Sequence, residues 1–271
     1  MSQKRRLFWM FAALTGFWAL EPLAQQNGAQ QDSAMPPPLP ALSAPVVVEL
    51  FTSQSCSSCP PADKVLEELD QHDNIIALGC HVTYWDHLDW KDTLSQPFCT
   101  QRQRAYAAAR GTGQIYTPQM VVNGQVEFVG SNRSKAVREV DKAAKAGATR
   151  ALKPIAVTRP GPATLTVLLP QLDPAQLAPG APPQTLWLLT YRNQHTQSMR
   201  SGENRGRTVA YVNPVSALTA LDTWDGQAAT RTYPLPPELA NTPETDGYVI
   251  LAQSPPTGPI TAAGKVSISS R

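Results

Sequence analysis

Two cysteines flank two serines in Cys56-Ser57-Ser58-Cys59, with Pro60 and Pro61 directly after. This spacing lets one short turn of chain open and close a disulfide, with the thiolate as the reacting species. The preceding run, Val46 to Phe51, is β-branched and mostly apolar and predicts a buried strand. The following run, Pro60 to Leu69, predicts a helix that begins near Ser57 or Ser58, because proline is tolerated only in a first helical turn. Free amide N–H groups at a helix N-terminus favour an anion there. Cys56 is therefore expected to attack, and Cys59, inside the first turn, to resolve. The same residues also allow an inert disulfide, or a zinc or copper(I) site completed by Cys80 or His81. No second ligand pair with metal spacing accompanies them, and His72, His81, His87 and His195 show none either.

Other side chains compete for roles beside the pair. Cys80 and Cys99 complete an even count, which in an exported protein favours pairing. Four cysteines permit three connectivities. Cys56–Cys59 with a structural Cys80–Cys99 is favoured, and a Cys80 that is simply a buried small apolar residue is the alternative. Trp85 to Lys91 joins two tryptophans to Asp86 and His87. It reads as a substrate wall or as a packed loop; the tryptophans suit core anchors better, and Asp86 and His87 remain candidates for tuning. Ser201 to Arg207 reads as an arginine-bearing hairpin loop that either binds an anion or partner or is held by local hydrogen bonds.

The N-terminus sets the expected compartment. Lys4, Arg5 and Arg6 precede an apolar run from Leu7 to Leu20, interrupted by Thr15 and Gly16. A spanning helix needs about 20 residues, so this shorter run suits a signal-peptide core. A signal peptide is expected over 1–29, with Ala24 and Ala29 as alternative last residues. An uncleaved anchor is the other reading, and the only membrane contact foreseen. The protein is expected in the periplasm or outside the cell, where disulfides form. Net charge is +2 and charged residues are few, so nucleic acid is not an expected partner. Pro36, Pro37, Pro38, Pro40 and Pro45 mark an extended linker over 30–45.

The elements that must position the dithiol follow in order. Strands are predicted at Val46 to Phe51 and Ile75 to Tyr84, and helices at Pro60 to Leu69 and Pro97 to Arg110. Met120 to Val122 and Val126 to Val129 flank Asn123-Gly124, a type I′ hairpin signal. A third helix begins near Asn132, buries Ala136, Val137, Val140 and Ala144, and stops at Gly147. This βαβαββα order over 46–150 is the minimal order of a thioredoxin-like domain. Right-handed crossover makes the first two strands parallel. The dithiol, the Trp85 to Lys91 loop and Thr117-Pro118 should then meet on one sheet edge, where open α/β sheets bind ligands. Over 151–271, runs at 155–158, 164–169, 186–191, 208–212 and 248–252 predict a mainly antiparallel, sandwich-like β domain.

The segments VVVELFTSQSCSSCPPAD, HVTYWDHLDWKD, QRQRAYA, YTPQMVVNG, EFVGS and SGENRGRT resemble, in order, the bacterial secreted-protein family called domain of unknown function 1223. The resemblance runs from about Val46 to near the C-terminus. It implies a thioredoxin-like fold and leaves the function open. It implies a cis bond from Thr117 to Pro118 facing the dithiol. It also sets Glu49 close to where thioredoxin-like proteins keep a buried, proton-shuttling carboxylate; the alternative is a Glu49 on the polar side of an edge strand. Ser55 stands where thioredoxin proper has tryptophan, and Ser57-Ser58 where it has Gly-Pro. The function expected is that of an exported thiol–disulfide oxidoreductase with no cofactor beyond its redox-active disulfide. Its partners would be protein thiol or disulfide clients and a separate redox partner. Pro118 would shape the groove, Thr117, Trp85, Asp86 and His87 would line it, and Glu49 would move the proton. The alternatives are a non-catalytic protein- or ligand-binding module and a copper- or zinc-handling thiol protein.

Overall fold

Strand β1 (Val46–Thr52) is buried along its whole length, as a β-branched run must be when both faces of its sheet are covered. The structure is a computed structural model and describes residues 44–147, 150–177, 180–240, 242–243 and 245–268; the expected signal peptide and nearly all of the expected linker lie outside them. β1 is followed by α1 (Pro60–Asp70), β2 (Ile75–His81), α2 (Pro97–Ala109), β3 (Gln119–Val122), β4 (Val126–Val129) and α3 (Arg133–Ala144). The strands form one sheet in the order β2-β1-β3-β4. β2 runs parallel to β1, and β3 runs antiparallel to both β1 and β4. Asn123 and Gly124 have φ of 51° and 68°, the left-handed pair that a type I′ turn requires.

One face of this sheet packs Val48 and Leu50 against Ala62, Leu66, Ala136 and Val140 of α1 and α3. Val137 and Ala144 do not join that core as expected, and Val137 is 45% exposed. Ala136, Val140 and Ala143 form the i, i+4, i+7 stripe, and Val137 falls off it. The other face carries Phe51, Tyr106 of α2 and the Cys80–Cys99 disulfide.

Beyond Arg150 come β5 (Lys153–Pro154), β6 (Ala156–Gly161), β7 (Thr164–Leu169), β8 (Gln184–Tyr191), β9 (Gln194–Ser198), β10 (Thr208–Val212), β11 (Val215–Trp224), β12 (Ala229–Pro234), β13 (Gly247–Gln253) and β14 (Ile260–Ser267). They make a five-stranded sheet, β11-β8-β13-β14-β5, a three-stranded sheet, β12-β7-β6, and the β9–β10 hairpin. The overall class is therefore mixed α/β, with several sheets and few helices. Leu165 and Val167 pack on Leu186 and Ile250 between the two larger sheets. The back of the five-stranded sheet is covered too: Leu189, Val249 and Leu251 pack on Val47, Ile76 and Leu78 of β1 and β2. β5, β9, β11, β12 and β14 lie outside the predicted runs. β9 is polar throughout, and β12 sets only Ala229 and Tyr233, with Arg231 between them, on its half-buried face, so they carry little hydrophobic period, and β11 is broken by two register shifts.

After β10 the chain runs past β2. Gly79 bridges Pro214, and its N–H reaches the Asn213 carbonyl at 3.0 Å. A side chain at Gly79 would meet the Val212 carbonyl at 3.1 Å, so glycine permits this approach.

Candidate functional site

Cys56 and Cys59 are joined by a disulfide, with their Cα atoms 5.4 Å apart. A tight turn presents them: the Cys56 N–H bonds the Ser53 carbonyl and the Cys59 N–H bonds the Cys56 carbonyl, both at 3.2 Å. Cys59 is the N-cap of α1, so the helix starts later than expected and Cys59 does not lie inside its first turn. The reason is local. Pro60 and Pro61 take the first two helical positions, and proline is pre-shaped for that place. This has a chemical cost. The two prolines carry no N–H, and the Ala62 and Asp63 N–H groups both bond the Cys59 carbonyl, at 2.7 and 3.1 Å. The free helix amides expected to stabilise a thiolate are therefore already spent. What remains is the helix dipole and the Ser58 hydroxyl, whose Oγ lies 3.4 Å from Cys56 Sγ.

The sulfurs are covered. Cys56 is 2% exposed and Cys59 0%, while Ser57 and Ser58 between them are exposed. The β9–β10 hairpin loop is bonded to the backbone of this turn. Asn204 is buried, and its Nδ2 donates to the carbonyls of Gln54 at 2.8 Å and Cys56 at 2.9 Å. Arg207 donates to Asn204 Oδ1 at 3.1 Å, and the Ser57 N–H donates to Glu203 Oε2 at 3.3 Å. The Trp85 to Lys91 loop forms the adjoining wall. Trp90 Nε1 donates to Gln54 Oε1 at 2.9 Å, and the Ser55 hydroxyl donates to the Trp90 carbonyl. Trp85 Nε1 donates to Thr117 Oγ1 at 2.8 Å, and Asp86 Oδ2 accepts from Ser95 at 2.6 Å. Trp85, Asp86 and Thr117 are thus half-buried staples of this wall, and His87, Asp89 and Lys91 are exposed. His87 lines a cleft of about 580 Å³ with Asp89, Glu203 and Arg205. The Thr117–Pro118 bond is cis. Gln119 opposes Phe51 across β3 and β1, so Pro118 comes level with Thr52, where the dithiol turn leaves β1.

Beneath the turn lies a buried polar cluster that sequence reasoning missed. Asp63 follows Cys59 by four residues and so shares its helix face. Its Oδ1 accepts from Thr52 Oγ1 at 2.8 Å, and its buried Oδ2 has no protein partner. His81 Nδ1 is 2.8 Å from Asp92 Oδ2, and His81 Nε2 is also buried without a protein partner. Burial pushes the Asp63 carboxyl up to about 7, against the opposing pull of His81 and the Thr52 hydrogen bond. Burial works against a charged His81, but Asp92 above all holds its pKa above the ordinary value. Burial also opposes a charged Asp92, yet His81 and the N–H groups of Gln54 and Leu94 hold it below the carboxylate range. Tyr211 of β10 sets its ring edge-on to His81, centroids 4.8 Å apart. One signal was legible beforehand: an acid on the apolar stripe of α1, three residues before Leu66.

Glu49 is not a free carboxylate in the fold. Both its oxygens accept from Arg102, and Tyr106 donates a further bond at 2.6 Å. Nor does it lie on an edge strand, because β1 is central and α2 brings Arg102 onto that face. Cys80 is bonded to Cys99, which removes the sulfur that a metal site with the dithiol would call on. Among the described residues, no three His, Cys, Asp or Glu side chains converge as metal ligands would.

A family model described as a protein of unknown function, DUF1223, matches residues 47–253. The chain belongs to this family. The DUF1223 match takes in the dithiol turn, the tryptophan loop and the covering hairpin together. A protein of Agrobacterium tumefaciens, solved by X-ray crystallography, is similar at 26% identity and a TM-score of 0.71, over 85% of this chain and 98% of its own. HBP35 of Porphyromonas gingivalis is similar in fold alone, at 15% identity and a TM-score of 0.55, over 85% of this chain and 77% of its own. No curated protein matches the chain.

Proposed function

We propose that this DUF1223 protein is an exported thiol–disulfide oxidoreductase on a thioredoxin-like scaffold, with Cys56 and Cys59 as its working pair. The observation that carries the reading is the Cys56–Cys59 disulfide at the N-cap of α1, with the protonatable Asp63 one helical turn further on. The strand order β2-β1-β3-β4 with helices on both faces supports the scaffold. Two disulfides and the basic-then-apolar N-terminal sequence support export to the periplasm or beyond. In the division we propose, residues 46–150 carry the reacting pair and residues 151–271 supply its cover.

The chemistry is disulfide exchange. In the reduced protein the Cys56 thiolate attacks a client disulfide, forms a Cys56–client bond and expels one client thiolate. The Cys59 thiolate then attacks Cys56 Sγ and expels the second client sulfur. The client gains two electrons and the protein ends as the Cys56–Cys59 disulfide. The same steps reversed oxidise a client dithiol. Each passage adds or removes a proton at Cys59, and Asp63 is the titratable group on its helix face.

A second reading has one observation in its favour: the dithiol is covered, as a static staple in a binding module would be. Trapping separates the two. In Cys59→Ser the mixed disulfide cannot be resolved, so reductant-sensitive adducts with client proteins should accumulate in the native compartment. Cys56→Ser should give none. If neither variant forms adducts, the binding-module reading replaces this one.

A further inference from the structure

We propose that the hairpin loop Ser201 to Arg207 is a displaceable lid on the Cys56–Cys59 disulfide, and that the client is an extended polypeptide segment whose amides take over the backbone groups the lid now occupies. The proposal deepens the oxidoreductase reading and rests on it.

Three observations carry the inference. First, Cys56 and Cys59 are buried, at 2% and 0% exposure, while the two serines between them are exposed. The burial is therefore local, and the loop bonded to this turn lies about 150 residues away in sequence. Second, the contact is made through backbone groups of the dithiol turn. One carboxamide, Asn204, serves the carbonyls of Gln54 and Cys56, and one carboxylate, Glu203, takes the Ser57 N–H. A carboxamide donating to main-chain carbonyls does what a peptide N–H donates in strand-like recognition. The groups it would vacate flank Cys56 on both sides, where a client must lie for its sulfur to meet Cys56 Sγ. Third, the lid is held at few points. Besides Asn204 and Glu203, Ser201 Oγ donates to the Asp89 carbonyl at 3.0 Å, and Gly202 packs on Trp90. Gly202 has φ of +73°, and a Cβ there would lie 2.9 Å from the Trp90 Cβ. The cleft between the lid and the tryptophan loop is lined by Glu203 and Arg205 on the lid side and by His87 and Asp89 on the other, so a displaced lid would widen it for the rest of the segment.

Opening needs no covalent change. A net exchange of about one hydrogen bond for another costs little, so a peptide can displace Asn204 where a small disulfide, offering fewer amides, cannot. The lid thus selects polypeptides over small thiols and keeps the pair from idle exchange.

The test uses the oxidised full-length protein with Asn204→Ala and, separately, Gly202→Ala, neither of which alters a cysteine. Reduction by dithiothreitol is followed by quenching, alkylation and mass measurement at each cysteine. Loss of the two Asn204 bonds should speed reduction of Cys56–Cys59 about tenfold or more, with Gly202→Ala moving the same way. Reduction of Cys80–Cys99 should stay at its wild-type rate. Unchanged Cys56–Cys59 rates in both variants would overturn the lid, and so would equal acceleration of both disulfides, which means general loosening. The client claim is read from reduced wild type offered glutathione disulfide or an unstructured peptide with one internal disulfide. Faster exchange with the peptide, by a ratio that shrinks in Asn204→Ala, supports it, and equal ratios in both proteins overturn it. Failure here is separable from failure of the oxidoreductase reading. Faster reduction without Cys59→Ser adducts keeps the lid and removes the enzyme. Adducts with unchanged reduction rates do the reverse.

Discussion

His81 Nδ1 lies 2.8 Å from Asp92 Oδ2, and neither side chain reaches solvent. Asp92 also accepts the Gln54 N–H at 2.8 Å, and Gln54 leads directly into the dithiol turn. The pair therefore joins the tryptophan loop, β2 and the approach to Cys56 through one carboxylate. Removing one member leaves the other charge buried and uncompensated, which typically costs about 3–5 kcal/mol. Asp92→Ala should lower the urea midpoint by a corresponding amount and speed alkylation of reduced Cys56. A variant as stable as wild type would show that the pair is not charged in the fold.

Asp63 gives a pH signature. Its carboxyl rises from 3.8 to about 7 on folding, so the folded protein holds this proton more tightly than the unfolded chain. The contribution to stability is full below about pH 4 and is lost as pH rises to about 7, an interval worth about 4 kcal/mol. His81, also raised, loses its contribution in the same direction; Asp92, lowered, loses its own as pH falls. Asp63→Asn keeps an acceptor for Thr52 and removes the titration. Its stability relative to wild type should therefore improve steadily between about pH 4 and pH 7. A flat difference across that window, measured by denaturant titration, would contradict the burial of a titrating Asp63.

Glu49 and Asp63 are distinguishable by kinetics. Glu49→Gln should destabilise the fold, because Arg102 would keep a buried charge without its carboxylate. It should leave the pH profile of Cys59 thiol alkylation in place. Asp63→Asn should move that profile. The reverse pattern would restore Glu49 to the proton-moving role.

Cys80–Cys99 is a buried staple between β2 and the first turn of α2. Closing a loop of this size contributes about 3 kcal/mol in the chain-entropy model. The double replacement Cys80→Ala with Cys99→Ala should lower stability by about that amount. Client adducts from Cys59→Ser should persist in this background, as mass analysis after mild lysis would show. Loss of adducts with the fold intact would make the second disulfide part of the exchange.

The sequence by itself determined what depends on neighbours along the chain. The buried strand before the dithiol follows from six apolar or β-branched positions in seven, and the hairpin at Asn123-Gly124 from the need for two left-handed residues. The pairing of Cys56 with Cys59 needs only a short turn. Even the helix start was readable from the two prolines, although its cap falls on Cys59 and not before it. The tertiary structure alone decided what depends on distant segments meeting. Glu49 is an ion-pair partner because α2 sets Arg102 on that face of the sheet. Asp63, His81 and Asp92 come from a helix, a strand and a loop, and no spacing rule links them. The β9–β10 hairpin bonds the Cys56 carbonyl, in a chain that passes close to β2 at Gly79. Local propensity is written in every few residues, whereas burial, and with it pKa and access, is fixed only when the sheets pack.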